Sequence, residues 1–240
     1  HADIAHVTPK MTIPSPAVLH FRGGRKAISS EVYPDLDGFF QDLAKTYRKA
    51  VKAFYDAGCR YLQLDETSLA KLGDPKIQKA LEGRGDDWRE LIEVYTDALN
   101  AVVDGAPKDM HVAMHLCRGN GQGAWLAEGG YDYIAEKLFN EFDIDAFFLE
   151  YDSERAGDFA PLRFVPKDKM VVLGLVTSKN PKLEDRGQLR RRIDEAAKYV
   201  PLENLCLSPQ CGFSSTHHGN SLTPDQQWRK LELVVDVARS

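Results

Sequence analysis

Short apolar segments alternate with longer amphipathic segments along the whole 240-residue chain. Six apolar runs have the length of strands, and they lie at residues 17–21, 59–64, 110–115, 145–150, 170–175 and 204–208. Between them, apolar residues recur at helical spacing. Parallel strands need long crossover connections, usually helices, so this alternation predicts a parallel sheet covered by helices. The sequence therefore predicts an α/β fold.

The first of these runs is the least regular. Pro14 and Pro16 interrupt the apolar stretch that begins at Met11. Proline has no N–H to donate to a central ladder, so the first strand is predicted to cover only residues 17–21.

Two architectures fit such an alternation, a doubly wound sheet and a (β/α) barrel. No Gly-x-Gly-x-x-Gly turn follows any predicted strand, which disfavours a dinucleotide-binding sheet. Polar residues instead gather at the carboxyl ends of several strands, and these are Asp65, Glu66, His115, Cys117, Glu150, Thr177, Ser178 and Cys211. Chemistry spread over many strand ends is typical of the (β/α)8 TIM barrel. Six units are two fewer than eight, so we expect residues 1–240 to be a single domain that lacks the first two βα units.

Charge and composition exclude several classes of function. The formal net charge is -5 and the isoelectric point is about 5.8, so no basic surface for nucleic acid or anionic membrane is predicted. No apolar run approaches the roughly 20 residues of a membrane span. Four cysteines without a regular framework indicate a reducing compartment, and we expect a cytoplasmic protein.

A candidate metal centre begins with His115 and Cys117. Residues i and i+2 of an extended segment point to the same side, so this strand end offers one nitrogen and one sulfur to a single point. Cys211 follows the sixth strand and Glu150 ends the fourth, which places both at the same predicted edge. Four such donors suit tetrahedral zinc. Three charged ligands favour holding a thiol as a thiolate over activating a water molecule.

Each of these residues also has a structural interpretation. A single histidine or cysteine near a strand end is more often a packing residue than a ligand. Cys117 and Cys211 could form a disulfide, although the predicted compartment argues against it. Glu150 could instead form a salt bridge with Arg118 or Arg155.

Two further pairs of polar residues are candidates for substrate contacts. Asp65 and Glu66 end the second strand, where they could bind a substrate amine or cap a helix. His217 and His218 lie in a Gly/Ser loop. Such pairs are usually solvated, but one of them, His217, is a candidate for the active site.

Four short motifs together resemble a known family. They are Leu-Gln-Leu-Asp-Glu (62–66), His-Leu-Cys (115–117), Phe-Leu-Glu (148–150) and Pro-Gln-Cys-Gly (209–212). This combination resembles the catalytic zinc barrel of the cobalamin-independent methionine synthases, and it is most similar to the short, single-barrel bacterial members. The resemblance runs from residue 12 onward and corresponds to strands three to eight of that barrel.

The resemblance implies a specific reaction and ligand set. It implies that zinc is bound by His115, Cys117, Glu150 and Cys211. It implies that homocysteine is the thiol, with Asp65, next to Glu66, holding its amino group. The methyl group would come from N5 of a methyltetrahydrofolate, and the product would be methionine.

The chain departs from the long enzymes of this family at two places. The stretch 174–181 contains no histidine, and Lys179 stands where the proton-relay histidine is expected. Residues 17–24 contain no tryptophan to stack a pterin. Lys179, at the place of the relay histidine, and His217, in the Gly/Ser loop, are the candidate catalytic residues.

These departures leave the partners of the reaction open. The alternatives are transfer to another thiol of the coenzyme M type, or transfer from a corrinoid donor. A metal-free decarboxylase of the uroporphyrinogen type and a structural or storage zinc site are further alternatives, which the His-Cys-Glu-Cys set disfavours.

Overall fold

The computed structural model describes residues 7–214 and 217–240. Its central feature is a six-stranded sheet in which the strands follow one another in chain order. The strands are β1 (Met11–Pro14), β2 (Tyr61–Glu66), β3 (His111–Leu116), β4 (Ala146–Glu150), β5 (Met170–Val176) and β6 (Leu205–Pro209). The pairs β1–β2, β4–β5 and β5–β6 are parallel in register. The predicted α/β class is confirmed, and sequential parallel strands are the order of a (β/α)8 barrel.

Helices connect the strands. They are α1 (Ala17–Gly23), α2 (Leu36–Asp56), α3 (Pro75–Gly83), α4 (Trp88–Val103), α5 (Ala135–Glu141), α6 (Arg186–Ala196) and α7 (Pro224–Ala238). Capping residues in the sequence indicate where several of these helices begin, because the side-chain oxygen of a capping residue accepts a hydrogen bond from a free N–H of the first turn. Thr223 and Gln226 form a reciprocal capping box at the start of α7.

The prediction for the first strand is wrong. Residues 17–21 belong to helix α1, and the strand is Met11–Pro14. Pro14 is the last residue of β1. The pairing with β2 continues through the backbone N–H of Ser15, which donates to the Asp65 carbonyl at 3.0 Å, so the missing N–H of Pro14 breaks no bond to β2. Pro16 precedes the first turn of α1, which is a favourable place for proline.

The chain forms two compact units, and the boundary falls inside strand β3. The first unit comprises residues up to 115 together with 141–145. Its core includes an aromatic cluster of His20, Phe40 and Tyr95, with ring centroids 5.6–6.2 Å apart. The His20 Nδ1 atom lies 2.8 Å from the Tyr95 hydroxyl, so this buried hydroxyl has a hydrogen-bond partner.

The second unit comprises residues 116–140 and 146–240. Strand β5 is buried along nearly its whole length, as expected for a parallel strand covered on both faces. Three aromatic rings, those of Tyr131, Tyr151 and Phe159, pack in series with centroids 5.5 and 4.7 Å apart. They lie behind the carboxyl end of β4, where the candidate ligand Glu150 is located.

Among the helices of the described residues, none is both long enough and apolar enough to cross a membrane. That the chain is a single domain of strands three to eight stays a prediction.

Candidate metal centre

Three of the four predicted ligands lie together. One ring nitrogen of His115 and the sulfur atoms of Cys117 and Cys211 all lie within 4.8 Å of one another. His115 is on β3 and Cys117 follows the end of that strand, so the two residues share one side of the backbone. Cys211 follows the end of β6. Two strand ends that are far apart in sequence thus supply the three donor atoms.

The chemistry of this set fits zinc. Zinc binds nitrogen and sulfur ligands at about 2.0–2.3 Å, and histidine nitrogen together with cysteine sulfur is a donor set that it prefers. The pKa of the Cys211 thiol is raised, first by its hydrogen bond with Cys117 and then by burial. Two buried neighbouring thiols resist losing both protons unless a cation lies between them, and a divalent metal ion supplies that cation. No disulfide joins Cys117 and Cys211 in this structure, in which all four cysteines are free.

Glu150 lies at the end of β4, but its carboxylate is engaged with cationic groups. Its Oε2 accepts a hydrogen bond of 2.6 Å from the backbone N–H of Arg118 and lies 3.6 Å from that guanidinium. Its Oε1 accepts from Arg155 and, at 3.2 Å, from the ammonium of Lys179. The predicted alternative of salt bridges to Arg118 and Arg155 is confirmed. The role of Glu150 as a metal ligand stays a prediction.

A second buried carboxylate, Asp152, contacts the same two cations. It accepts from Lys179 at 2.9 Å and from Arg155 at 3.3 Å. Burial acts to raise the pKa of Asp152, but the positive charges of Lys179 and Arg155 outweigh it and lower that pKa. We refer to Glu150, Asp152, Arg155 and Lys179 as the carboxylate–cation network. All four side chains are at most 8% exposed.

Tyr131 connects the two strand ends that carry Cys117 and Glu150. Its buried hydroxyl donates to the carbonyl of Leu116 at 3.1 Å and accepts from the backbone N–H of Glu150 at 3.0 Å. The hydroxyl therefore bridges a backbone carbonyl of β3 and a backbone N–H of β4 where these strands end. Burial raises the pKa of Tyr131 to about 12, so this hydroxyl keeps its proton at neutral pH.

Arg118 holds the loop after β3 against the same region. Its fully buried guanidinium donates to the carbonyl of Gly129 at 2.5 Å and lies 4.4 Å from the centre of the Tyr131 ring. Burial acts to lower the pKa of Arg118, but Tyr131 and Glu150 raise it overall. A guanidinium that stays charged in a buried site needs such partners.

The structure places Asp65 and Glu66 in different environments. Asp65 is half-buried, and its Oδ1 accepts from the Gln63 side chain at 2.8 Å. Glu66 is fully buried and accepts from the Ser15 hydroxyl and from the backbone N–H groups of Ser68 and Leu69. Glu66 thus fixes the loop after β2. Substrate binding by Asp65 and Glu66 stays a prediction.

The two candidate catalytic residues also differ. Lys179 belongs to the carboxylate–cation network, in direct contact with Glu150. His217 is exposed, and its ring lies 3.6 Å from that of His218. This pair has the exposure of a solvated loop. Catalysis by either residue stays a prediction.

Sequence reasoning missed Asp152 and Tyr131. Asp152 follows the end of β4 by two residues, so its type and position were a usable signal. Tyr131 gave no local signal, because it lies in a connection and reaches the strand ends only through the tertiary fold. Arg118 and Arg155 were expected only as alternative partners of Glu150.

Comparison with known proteins gives the context of this site. Residues 24–240 match the family model of the cobalamin-independent synthase catalytic domain. The Bacillus subtilis protein YxjG, itself described as uncharacterized, is 50% identical over 239 residues, which are 99% of this chain and 63% of YxjG. The methionine synthase of Pyrococcus horikoshii is 26% identical over 186 residues, covering 77% of this chain and 46% of that enzyme.

A solved structure shows the same fold. It comes from a Listeria monocytogenes protein described as a candidate vitamin-B12 independent methionine synthase, and it is 44% identical with a TM-score of 0.76. The match covers 96% of this chain and 63% of the Listeria chain. The present chain thus spans less than two thirds of the length of YxjG and of the Listeria protein.

Proposed function

The chain belongs to the family of cobalamin-independent synthase catalytic domains, and on that premise we propose that it is a zinc-dependent methyltransferase that acts on the thiol of homocysteine to give methionine. The observation that carries the proposal is the approach of His115, Cys117 and Cys211 to within 4.8 Å. Nitrogen and thiolate donors on separate strand ends form an open site, whereas structural zinc sites are usually closed by paired cysteine loops.

We assign the metal to these three residues, with Glu150 as the fourth ligand. Zinc, when bound, lowers the pKa of an incoming thiol and keeps the resulting thiolate nucleophilic. The remaining functions belong to the protein. Cys117 is only 3% exposed, so its surroundings exclude water from one side of the reacting centre.

Methyl transfer from a tertiary amine also needs a proton for the leaving nitrogen. Lys179 is the candidate donor, because its ammonium lies beside Glu150 and carries three N–H groups. Two of these are directed to Glu150 and Asp152. Asp65 is the proposed partner of the substrate amino group, since its half-buried carboxylate ends strand β2.

The methyl donor is proposed to be N5 of a methyltetrahydrofolate. The absence of a histidine in residues 174–181 and of a tryptophan in residues 17–24 favours a test of other donors. A corrinoid donor and a coenzyme M-type acceptor are the alternatives within the same zinc chemistry.

The test combines metal analysis with methyl-transfer assays on full-length protein. We expect about one zinc per chain and methionine formation from homocysteine. Donors to compare are methyltetrahydrofolate, its polyglutamate form and methylcobalamin, and coenzyme M is the competing acceptor. Zinc-free protein that transfers no methyl group under any of these conditions would refute the proposal.

A matched pair of cysteine variants locates the metal. Cys211→Ser should lose most of the zinc, because a serine hydroxyl replaces a thiolate ligand. Cys206→Ser, near the start of the same strand and outside the donor set, should keep it. Equal zinc content in the two variants would place the metal elsewhere.

A further inference from the structure

The carboxylate–cation network has an unusual arrangement of partners. Arg155 and Lys179 each contact two carboxylates, Glu150 and Asp152. The Oε1 atom of Glu150 receives both cations. A carboxylate oxygen has about two acceptor positions, so Oε1 is already saturated. Coordination of a metal ion through Oε1 therefore requires Arg155 or Lys179 to withdraw.

Withdrawal of a buried cation is normally unfavourable, because an unpaired charge in the interior is strongly destabilising. Asp152 removes this difficulty here. It lies 2.9 Å from Lys179 and 3.3 Å from Arg155, so both cations keep a carboxylate partner after leaving Glu150. Meanwhile the Oε2 atom of Glu150 stays anchored to the backbone N–H of Arg118 at 2.6 Å. Only one oxygen of the carboxylate needs to exchange partners.

We propose that Asp152, Lys179 and Arg155 are positioning residues that set the zinc affinity of the centre through Glu150. The two cations compete with the metal for the carboxylate, and Asp152 retains them when the carboxylate turns toward the metal. This inference rests on the proposed function, since it requires zinc at the centre. It adds residues that lie outside the ligand set, and for each of them it predicts whether its substitution strengthens or weakens zinc binding.

The direction in which each substitution changes zinc affinity distinguishes this arrangement from a set of ion pairs that only support the fold. Removing the charge of Lys179 removes a competitor and a positive charge near the metal, so zinc should bind more tightly. Removing the charge of Asp152 leaves both cations to Glu150 alone, so zinc should bind more weakly. Ion pairs that merely stabilise the fold would make both substitutions weaken zinc binding. Loss of a residue that holds a metal ligand typically weakens metal binding by about 10- to 100-fold, and we expect changes at the lower end of this range, in opposite directions for the two substitutions.

The experiment measures the zinc dissociation constant by competition with a chromogenic chelator. Lys179→Met is expected to lower the constant by about tenfold and Asp152→Asn to raise it by about tenfold. Lys179→Arg keeps the positive charge, so its zinc dissociation constant should be close to that of the parent protein. Lys230→Met is the matched control, because Lys230 is also buried and pairs with a carboxylate, Glu184, at 3.1 Å. The control should leave the constant unchanged.

Circular dichroism of each metal-free variant identifies those that remain folded, and only these enter the comparison. If Lys179→Met fails to fold, Arg155→Met takes its place with the same expected sign. Weaker zinc binding in both the lysine and the aspartate variants would overturn the inference while leaving the metal centre intact. A parent protein that binds no zinc would refute the proposed function itself.

Discussion

The Tyr131 hydroxyl offers the sharpest test of how the site is held. Tyr131→Phe removes one oxygen atom and leaves the buried ring in place. It deprives two buried backbone groups of a partner, the carbonyl of Leu116 and the N–H of Glu150. Each buried polar group left unsatisfied costs about 1–3 kcal/mol, so we expect the free energy of unfolding to fall by about 2–6 kcal/mol. The same bonds fix the strand ends that carry Cys117 and Glu150. Zinc affinity should therefore fall as well, by about tenfold.

Two other buried tyrosines are matched controls, and the assays are urea unfolding and chelator competition for zinc. The Tyr95 hydroxyl bonds His20 at 2.8 Å in the first unit, so Tyr95→Phe should cost about 1–3 kcal/mol of stability without changing zinc affinity. The Tyr151 hydroxyl has no hydrogen-bond partner among the described residues, so Tyr151→Phe should be neutral or stabilising. Equal destabilisation by all three substitutions, or unchanged zinc affinity in Tyr131→Phe, would refute the assigned role of the hydroxyl.

Two further predictions concern pH and packing. Burial raises the pKa of Glu66 above its ordinary value of 4.5. The folded chain therefore binds this proton more tightly than the unfolded chain does. Stability is lost as the pH rises from 4.5 through the folded-state pKa. Glu66→Gln, which cannot ionise, should gain stability relative to the parent over that range in urea titrations at several pH values; a pH-independent difference would contradict this account. In strand β5, a Cβ at Gly174 would lie 2.9 Å from the Leu149 carbonyl oxygen and 3.0 Å from the Gln210 side chain. Gly174→Ala should therefore cost about 1–3 kcal/mol of stability and, by displacing the residue before Cys211, reduce zinc binding; unchanged melting temperature and zinc content would show that the strand adapts freely.

The candidate centre combines two interpretations of Glu150 that the sequence presents as alternatives. The residue stands where the fourth ligand is expected, and it also forms the salt bridges of a buried structural carboxylate. Asp152 makes these roles compatible, because it shares both cations with Glu150. Under the proposed function, Glu150 would be bound to the metal less firmly than His115 or either thiolate. Such a ligand would suit a centre that accepts an external thiol.

The sequence by itself determined the α/β class, most element positions and the candidate donor residues. These features depend on local signals: the apolar period that separates strands from helices, caps such as Thr223, and residue types at strand ends. The same local reasoning failed at residues 17–21, where it excluded Pro14 from a strand without knowing which backbone N–H groups of β1 face β2. Whether a proline is tolerated depends on the neighbour that would need its N–H, and that neighbour is a tertiary property.

Only the tertiary structure decided how the donors meet and what surrounds them. Cys211 reaches Cys117 because parallel strands bring their carboxyl ends to one edge, and the sequence alone gives no distance between them. The partners of Glu150 depend on where the Arg155 and Lys179 side chains lie after the loops close, and Tyr131 contributes from a connection without any local pattern. Residue type and spacing indicate which side chains can act as metal ligands or charged partners. Long-range packing decides which charges share a buried space, because electrostatic interactions there depend on distances that no local pattern fixes.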